Sequence, residues 1–182
     1  KQDDTANNIY TIHLNDDGSI YAGGATKPSS ADRPVVYKIQ PEGVGLDSTF
    51  AINGEAIAPV QGKGYGMAIH PNGNILVCSG STIGNGIDMA VTAFNPDGSV
   101  NTDFGVDGVF TADINNVDIA SDVVVQSDGK IVLGGESSAG SFMTRNYATA
   151  RCDENGILDK EIDGKRVEMR LRNVGSETKF SK

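Results

Sequence analysis

The sequence is poor in the residue types from which catalytic and metal centres are most often built. Its 182 residues include no Trp, two Cys, two His and 6% aromatic residues. Cys78 and Cys152 stand alone instead of in Cys-x-x-Cys spacing, so neither a zinc site nor a redox pair is indicated, and we expect both to be buried as small apolar side chains. No apolar run approaches the roughly 20 residues that span a bilayer, so we expect no membrane span and no signal peptide.

Basic residues are also scarce, and they are unevenly placed. The chain has 15 Lys and Arg against 24 Asp and Glu, a formal charge of −9, which disfavours binding to nucleic acid because phosphate contacts need a basic surface. Residues 165–182 are the exception, with six Lys or Arg and two Glu. Because Val167, Met169 and Leu171 alternate with these charges, we interpret the segment as an edge strand followed by a frayed end.

Glycine, in contrast, is abundant and periodic. The 23 Gly make up about 13% of the chain, against an average near 7%. Segments 12–24, 67–79 and 123–135 align with one another, each with an Asp-Gly or Asn-Gly pair between two apolar runs. Such a pair is a strong hairpin signal, typical of a type I′ turn in which both central residues have positive φ. The sequence therefore predicts three hairpins, with tips at Gly18, Gly73 and Gly129.

A second motif recurs between the hairpins, always in the same order. It is an apolar strand followed by a short segment rich in Asp, Asn and Thr, and its copies are 35–39 with 46–50, 90–98 with 100–104, and 148–156 with 158–162. Together the motifs predict about four short strands per repeat of 54–58 residues, without helical periodicity. Four-stranded units at a fixed period are typical of β-propeller blades; β-helix coils are much shorter, and sandwiches do not repeat their motifs.

The repeats resemble a known family. The segments DGKIVLGG (128–135), YATAR (147–151) and NPDGSVNTDFG (95–105) are similar to the tandem delta-sixty β-propeller repeat of large bacterial secreted and surface proteins. The first copy departs from this pattern at residues 41–45, and Ile162 replaces the usual Phe. The resemblance implies a propeller that binds or scaffolds, and it provides no defined set of catalytic residues.

The predicted fold is therefore all-β, a propeller of antiparallel blades with about three blades in this chain. We divide the sequence into repeat one at 1–54, repeat two at 55–108, repeat three at 109–164, the first strand of a further or closing blade at 165–174, and a frayed tail at 175–182. On this division repeat one lacks its first strand, and the ends are out of phase with the blades. We expect either strand-swapped closure, with a homo-oligomer formed by exchange of 165–174, or a piece of a longer propeller.

No constellation in the sequence indicates catalysis, and we expect no enzyme activity, no catalytic residues, no cofactor and no metal ligands. The Gly-rich segment 62–66 lacks the following helix of a phosphate loop, and most paired carboxylates lie in hairpin turns. Segment 95–103 carries oxygen-bearing side chains at alternate positions, as a calcium loop would. Asn and Asp that bond their own backbone explain this pattern more simply.

The remaining interpretation is a binding or scaffolding module outside the cell or on its surface. Three loops break the repeat at equivalent positions, at 26–33, 79–86 and 136–146, and we expect them to form one rim that meets a protein or glycan partner. The residues in or beside them that are best suited to stacking or ion pairing are Arg33, Tyr37, Arg145 and Tyr147. An adhesive or filament role fits this interpretation, as does a virion fibre or decoration protein. The alternative is an enzyme that acts on glycans through the central channel.

Overall fold

The structure, a computed structural model, describes residues 7–82, 86–140, 145–159, 161–162 and 165–166. These contain strands, turns and one short 3₁₀ segment at Pro41–Gly43, and no α-helix. The strands are β1 Asn8–Leu14, β2 Ile20–Thr26, β3 Arg33–Ile39, β4 Glu55–Ile57, β5 Gly66–Ile69, β6 Ile75–Ser81, β7 Asp88–Phe94, β8 Val109–Ala112, β9 Val117–Val125, β10 Ile131–Ser138, β11 Asn146–Cys152, β12 Glu161–Ile162 and β13 Lys165–Arg166. The prediction of an all-β chain is confirmed.

Antiparallel sheets follow one another along the chain as propeller blades. Blade one is β1–β2–β3–β4, blade two is β5–β6–β7–β8, and the described part of blade three is β9–β10–β11, while β12 pairs with β13. The first strands β1, β5 and β9 lie next to one another in series. The chain is therefore a β-propeller, as its repeat predicts.

The sheets correct the predicted phase of the repeat. Blade one lacks no strand, because β4 pairs with β3 through Val36 and Ala56. Likewise β8 pairs with β7, so it closes blade two instead of opening blade three. Each blade thus begins at the strand before the Gly-tipped hairpin, and the strand assigned to the start of the next repeat is the fourth strand of the preceding sheet. Residues 167–182, which include most of the predicted strand 165–174 and the whole tail 175–182, lie outside the described residues.

All three predicted hairpins form, with a turn type different from the predicted one. Gly18, Gly73 and Gly129 have φ of 81°, 91° and 83°, whereas the residue before each has no positive φ. In the first hairpin the Gly18 amide donates to the Asn15 carbonyl at 3.0 Å, which closes a four-residue turn that ends at the glycine. The loop is therefore a type I turn followed by a left-handed glycine, the usual choice for hairpin loops of this length.

Apolar side chains fill the two interfaces between blades. One cluster joins blades one and two around Phe50 and Phe94, and another joins blades two and three around Phe104 and Leu133. A repeated backbone hydrogen bond ties the same junctions: the Ala51 amide donates to Asp97 at 2.7 Å, and the Gly105 amide donates to Asn155 at 2.8 Å. The core thus lies between blades, and each blade depends on its neighbour for burial.

The third repeat is shorter than the alignment suggests. Ile162 pairs with Lys165 in the way that Ile52 pairs with Glu55 and Val106 with Val109. Ile162 is therefore the equivalent of Val106, and its assignment to the position of Phe104 is wrong. Two residues are missing between Leu158 and Ile162 relative to blade two.

Candidate functional site

The rim predicted from the variable loops corresponds to the connections between the second and third strands of each blade. These connections follow β2, β6 and β10, and their first paired residues are Thr26 with Arg33, Ser81 with Asp88, and Ser137 with Asn146. The three loops therefore connect equivalent strands in three consecutive sheets. Residues 83–85 and 141–144 of these loops lie outside the described residues.

Arg145 and Tyr147 come together at a surface cavity of about 440 Å³. Its walls are formed by Ser121, Gly135, Glu136, Arg145, Asn146 and Tyr147. The Arg145 guanidinium pairs with the Glu136 carboxylate, and Tyr147 lies directly opposite Glu136 in the β10–β11 ladder. Tyr147 is 85% exposed, so one face of a phenol ring stands beside an ion pair. A sugar or a planar side chain can stack on such a ring while it hydrogen-bonds to the charged groups.

Arg33 and Tyr37 do not belong to this cavity. Arg33 is half-buried at the start of β3 in blade one, and Tyr37 is 8% exposed in a small cluster with Ala22 and Val35. Burial raises the pKa of the Tyr37 hydroxyl, with a smaller opposing contribution from Thr26. Tyr37 is a packing residue in this structure, since its ring has almost no surface on which a ligand could stack.

A second cavity, of about 270 Å³, lies where blades one and two meet and extends to Ile119 of blade three; sequence reasoning did not single it out. Lys63 approaches Asp32 at 3.7 Å in its wall, and the Thr82 hydroxyl donates to Gln61 at 3.3 Å. Tyr65 also lines it and packs against Tyr10 with ring centroids 5.4 Å apart. The signal in the sequence was the Gly-rich segment 62–66 on the approach to β5.

The glycines of that segment are required by crowding, as the sequence suggested. A methyl group at Gly64 would approach the Gly24 carbonyl oxygen at 2.6 Å, and one at Gly62 would meet the Gly80 carbonyl. The backbone therefore passes closely between two blades and places the Lys63 and Tyr65 side chains at the cavity.

The turn at 95–103 uses its side-chain oxygens to hold its own backbone. Asp97 Oδ1 accepts hydrogen bonds from the Ser99 amide at 2.9 Å and from the Ser99 hydroxyl at 2.6 Å, and Asn101 Oδ1 accepts from the Asp103 amide at 3.2 Å. The two hydrogen bonds from Ser99, of which the one from its hydroxyl contributes most, hold the pKa of Asp97 below its usual value. The same arrangement occurs at Asp17 and Ser19 in blade one.

The two cysteines are buried, as predicted. Both are free thiols with 0% exposure, and desolvation raises the pKa of Cys78 and of Cys152 to about 12. His70 has a structural position: its Nε2 donates to the Gly129 carbonyl at 2.9 Å, and its Nδ1 accepts from the Asn72 amide at 3.3 Å. It therefore links the hairpin tips of blades two and three.

Comparison with known proteins supports the propeller repeat. Residues 126–159, which span the β9–β10 turn, β10 and β11, match the sequence model of the family described as "Domain of unknown function (DUF5122) beta-propeller". No curated protein matches the chain significantly. Within the described residues, no helix has the length and apolar character needed to cross a bilayer.

Proposed function

We propose that this chain is a non-enzymatic β-propeller module of the delta-sixty type that binds a glycan or protein partner through the blade-three cavity. The observation that carries the proposal is the exposed Tyr147 ring beside the Arg145–Glu136 pair. Exposed aromatic residues next to Arg are typical of binding sites, because they offer a large contact area at little cost in conformational entropy. The loop above them also differs in sequence from its two counterparts.

An extracellular or cell-surface location is part of the proposal. The acidic charge of −9 and the tandem blades fit a scaffold or an adhesive filament, and the same features fit a virion fibre or decoration protein. A homo-oligomer formed by exchange of residues 165–174 remains proposed as well. It is supported by the sequence of this segment, in which Val167, Met169 and Leu171 alternate with charged residues as in an edge strand.

Binding is tested on a printed array of bacterial and host glycans and on immobilised cell-surface protein extracts. The double variant R145A/Y147A should keep its melting temperature, because both side chains have large exposed areas. Its binding should fall at least tenfold, equivalent to about 1.4 kcal/mol. The matched control is Y10A/K63A, which removes a cation from the second cavity and the ring that packs against Tyr65 in its wall, and it should bind like the wild type.

Two results would contradict this site. If both double variants bind as the wild type does, the rim cavities are not the binding surface; if only Y10A/K63A loses binding, the partner sits between blades one and two. Release of reducing ends from a bound glycan, unchanged in R145A/Y147A, would favour the glycan-acting enzyme instead. The solution mass of each variant is measured alongside, so that lost self-association is distinguished from lost ligand binding.

A further inference from the structure

Three carboxylates converge at the junction between blades two and three, next to the second cavity, whose wall includes the neighbouring residues Ile87 and Ile119. Asp88 opens β7, Asp113 follows the last residue of β8, and Asp118 is the second residue of β9. One ligand atom from each lies within 4.8 Å of the other two. Met89 pairs with Ala112 in the ladder, which places Asp88 and Asp113 at adjacent ends of two paired strands.

Asp118 differs from the other two carboxylates, because its side chain is completely buried and only one of its two carboxylate oxygens accepts hydrogen bonds in the described structure. Its Oδ2 accepts hydrogen bonds from the amides of Ile114 at 2.8 Å and Asn115 at 2.9 Å. Its Oδ1 is buried and has no hydrogen-bond donor among the described residues. Burying a carboxylate oxygen without a partner lowers the stability of the folded state, so a proton donor or a cation at this oxygen would be stabilising.

The neighbouring Ser81 also has a buried side-chain oxygen without a hydrogen-bond partner in the described structure. Ser81 pairs directly with Asp88 across the β6–β7 ladder, which puts the two side chains on the same face of the sheet. The Ser81 hydroxyl is buried and has no hydrogen-bond partner within the described part of the chain. A second unsatisfied oxygen thus lies beside the carboxylates.

No positive side chain offsets this concentration of charge in the described structure. Its ion pairs involve other acidic residues, and none includes Asp88, Asp113 or Asp118. Burial raises the pKa of Asp88 above its usual value, and repulsion from Asp113 and Asp118 raises it further. Asp113 is exposed, so the cluster is open to solvent on one side.

We propose that Asp88, Asp113 and Asp118 form a calcium site. The donor set described here consists only of oxygen atoms, which suits a hard cation and not zinc or copper. Two oxygens that bind one Ca²⁺ at 2.3–2.6 Å lie at most about 5 Å apart, and the three carboxylates meet this limit. Mg²⁺ requires shorter bonds and a stricter octahedron, so calcium fits the spacing better.

The bound ion would fasten blade two to blade three. The junction already has backbone bonds in which the Ile87 amide donates to Asn116 at 3.2 Å and the Asp118 amide donates to Ile87 at 2.5 Å. Asp88 and Asp113 come from blade two, and Asp118 comes from the first strand of blade three. Calcium therefore neutralises the repulsion at this point and favours the docked arrangement of the two blades.

The test is thermal unfolding of the chelator-treated full chain, with and without about 5 mM CaCl₂. With a dissociation constant on the order of 10⁻⁴ M, the melting temperature should rise by about 5 °C or more. D113N should abolish the rise and still fold, because Asp113 is exposed. Without calcium, D88N and D113N should melt no lower than the wild type, because each removes one of the repelling charges.

Two controls carry the same change of charge outside the cluster. D16N alters an exposed residue at a hairpin tip, and D97N alters the turn at 95–103; both should keep the full calcium-induced rise. A rise lost in D97N and kept in D113N would place calcium in that turn. An unchanged wild-type melting temperature, with titration calorimetry showing no calcium uptake, would show that a proton shared by the carboxylates takes the place of the ion. An equal rise with MgCl₂ would overturn the assignment to calcium.

Discussion

At the scale of single residues, the dipeptide Asn-Gly occurs in two different types of turn. At Asn72-Gly73 only the glycine has positive φ, whereas at Asn53-Gly54 the two φ angles are 55° and 89°. The second pair closes a two-residue loop between the bridged residues Ile52 and Glu55, which is the type I′ geometry predicted for the first. The dipeptide therefore predicts that the chain turns, while the number of residues between the paired strands decides the turn type.

Gly108 is a residue whose backbone requires glycine. Its φ is +88°, and a methyl group there would collide with Val100 Cγ1. We expect G108A to lower the free energy of unfolding by about 2 kcal/mol or more, since a left-handed alanine is strained. Urea denaturation measures the change.

Gly134 provides the matched control for this prediction. It lies in β10, has no positive φ, and would leave an added methyl group with no heavy atom within 4 Å. G134A should leave stability unchanged or raise it by up to about 1 kcal/mol. Equal losses in the two variants would contradict the conformational argument.

The calcium cluster shows what residue types alone could have revealed. Asp88 takes the register position that Arg33 holds in blade one and Asn146 holds in blade three. A carboxylate at one copy of a repeat, where the other copies carry a cation and an amide, was visible in the sequence. Its convergence with Asp113 and Asp118 was not, because that depends on how blade three docks on blade two.

At the scale of strands and turns, the Asn-x-Asp-Gly-Ser turn is a local unit that the sequence predicted well. Asp97 holds Ser99 within the turn after β7, and Asp17 holds Ser19 in the first hairpin in the same way. All partners lie within four residues of one another. Such contacts can be inferred from sequence because they form whatever the rest of the chain does.

This turn gives a prediction of pH dependence. Hydrogen bonds from the Ser99 side chain and backbone hold the pKa of Asp97 below 3.8, so its contribution to stability is present above about pH 4 and is lost as the pH falls through the folded-state pKa. We expect D97N to be destabilised relative to the wild type at pH 7, with the difference shrinking as the pH falls through the folded-state pKa of Asp97. Denaturant unfolding across this pH range measures it.

A double-mutant cycle with S99A identifies the cause. In the S99A background the pH-dependent part of the D97N effect should become smaller, because the hydroxyl donor is gone. A D97N effect that does not change with pH, or one that is the same with and without Ser99 Oγ, would show that the aspartate acts in another way.

The positions of the strands could be predicted from the sequence, but the blade to which each fourth strand belongs could not. The fourth strands β4 and β8 appear in the sequence as short apolar segments before the next hairpin, and the alignment gave them to the wrong blade. A tandem repeat has no intrinsic starting point, so its period does not reveal where one sheet ends. Pairing of β4 with β3 and of β8 with β7 decides it.

At the scale of the whole molecule, the two outer blades each expose a surface whose equivalents are buried elsewhere. Tyr147 is equivalent in register to Pro34 and Met89, which are both buried, and Met89 packs towards blade three. On the other side, β1 exposes Ile12 at 72% and Leu14 at 69%. The β1 surface would be buried by a further blade or by another copy of the chain, whereas the Tyr147 surface is the one that we propose meets a partner.

The strand-exchange proposal predicts a dimer. Sedimentation analysis of the full chain at low micromolar concentration should give twice the 19.0 kDa of one chain. M169P should give a monomer, since proline removes a donor from the strand predicted at 165–174. A compact wild-type monomer would overturn the proposal, and a dimer that persists in M169P would show that the copies associate through their faces.

The sequence by itself determined the hairpins, the strand content, the repeat length and therefore the propeller class, because each depends on local backbone preference and on a period that can be counted. The tertiary structure decided the phase of the blades, the burial of Tyr37 against the exposure of Tyr147, and the meeting of three aspartates. The phase depends on which strands pair, the aspartates meet because blade three docks on blade two, and Tyr37 is buried by the packing of three strands of its own blade. Because the core of this protein lies between blades, a side chain's environment is set by residues from another repeat, and no local pattern records that contact.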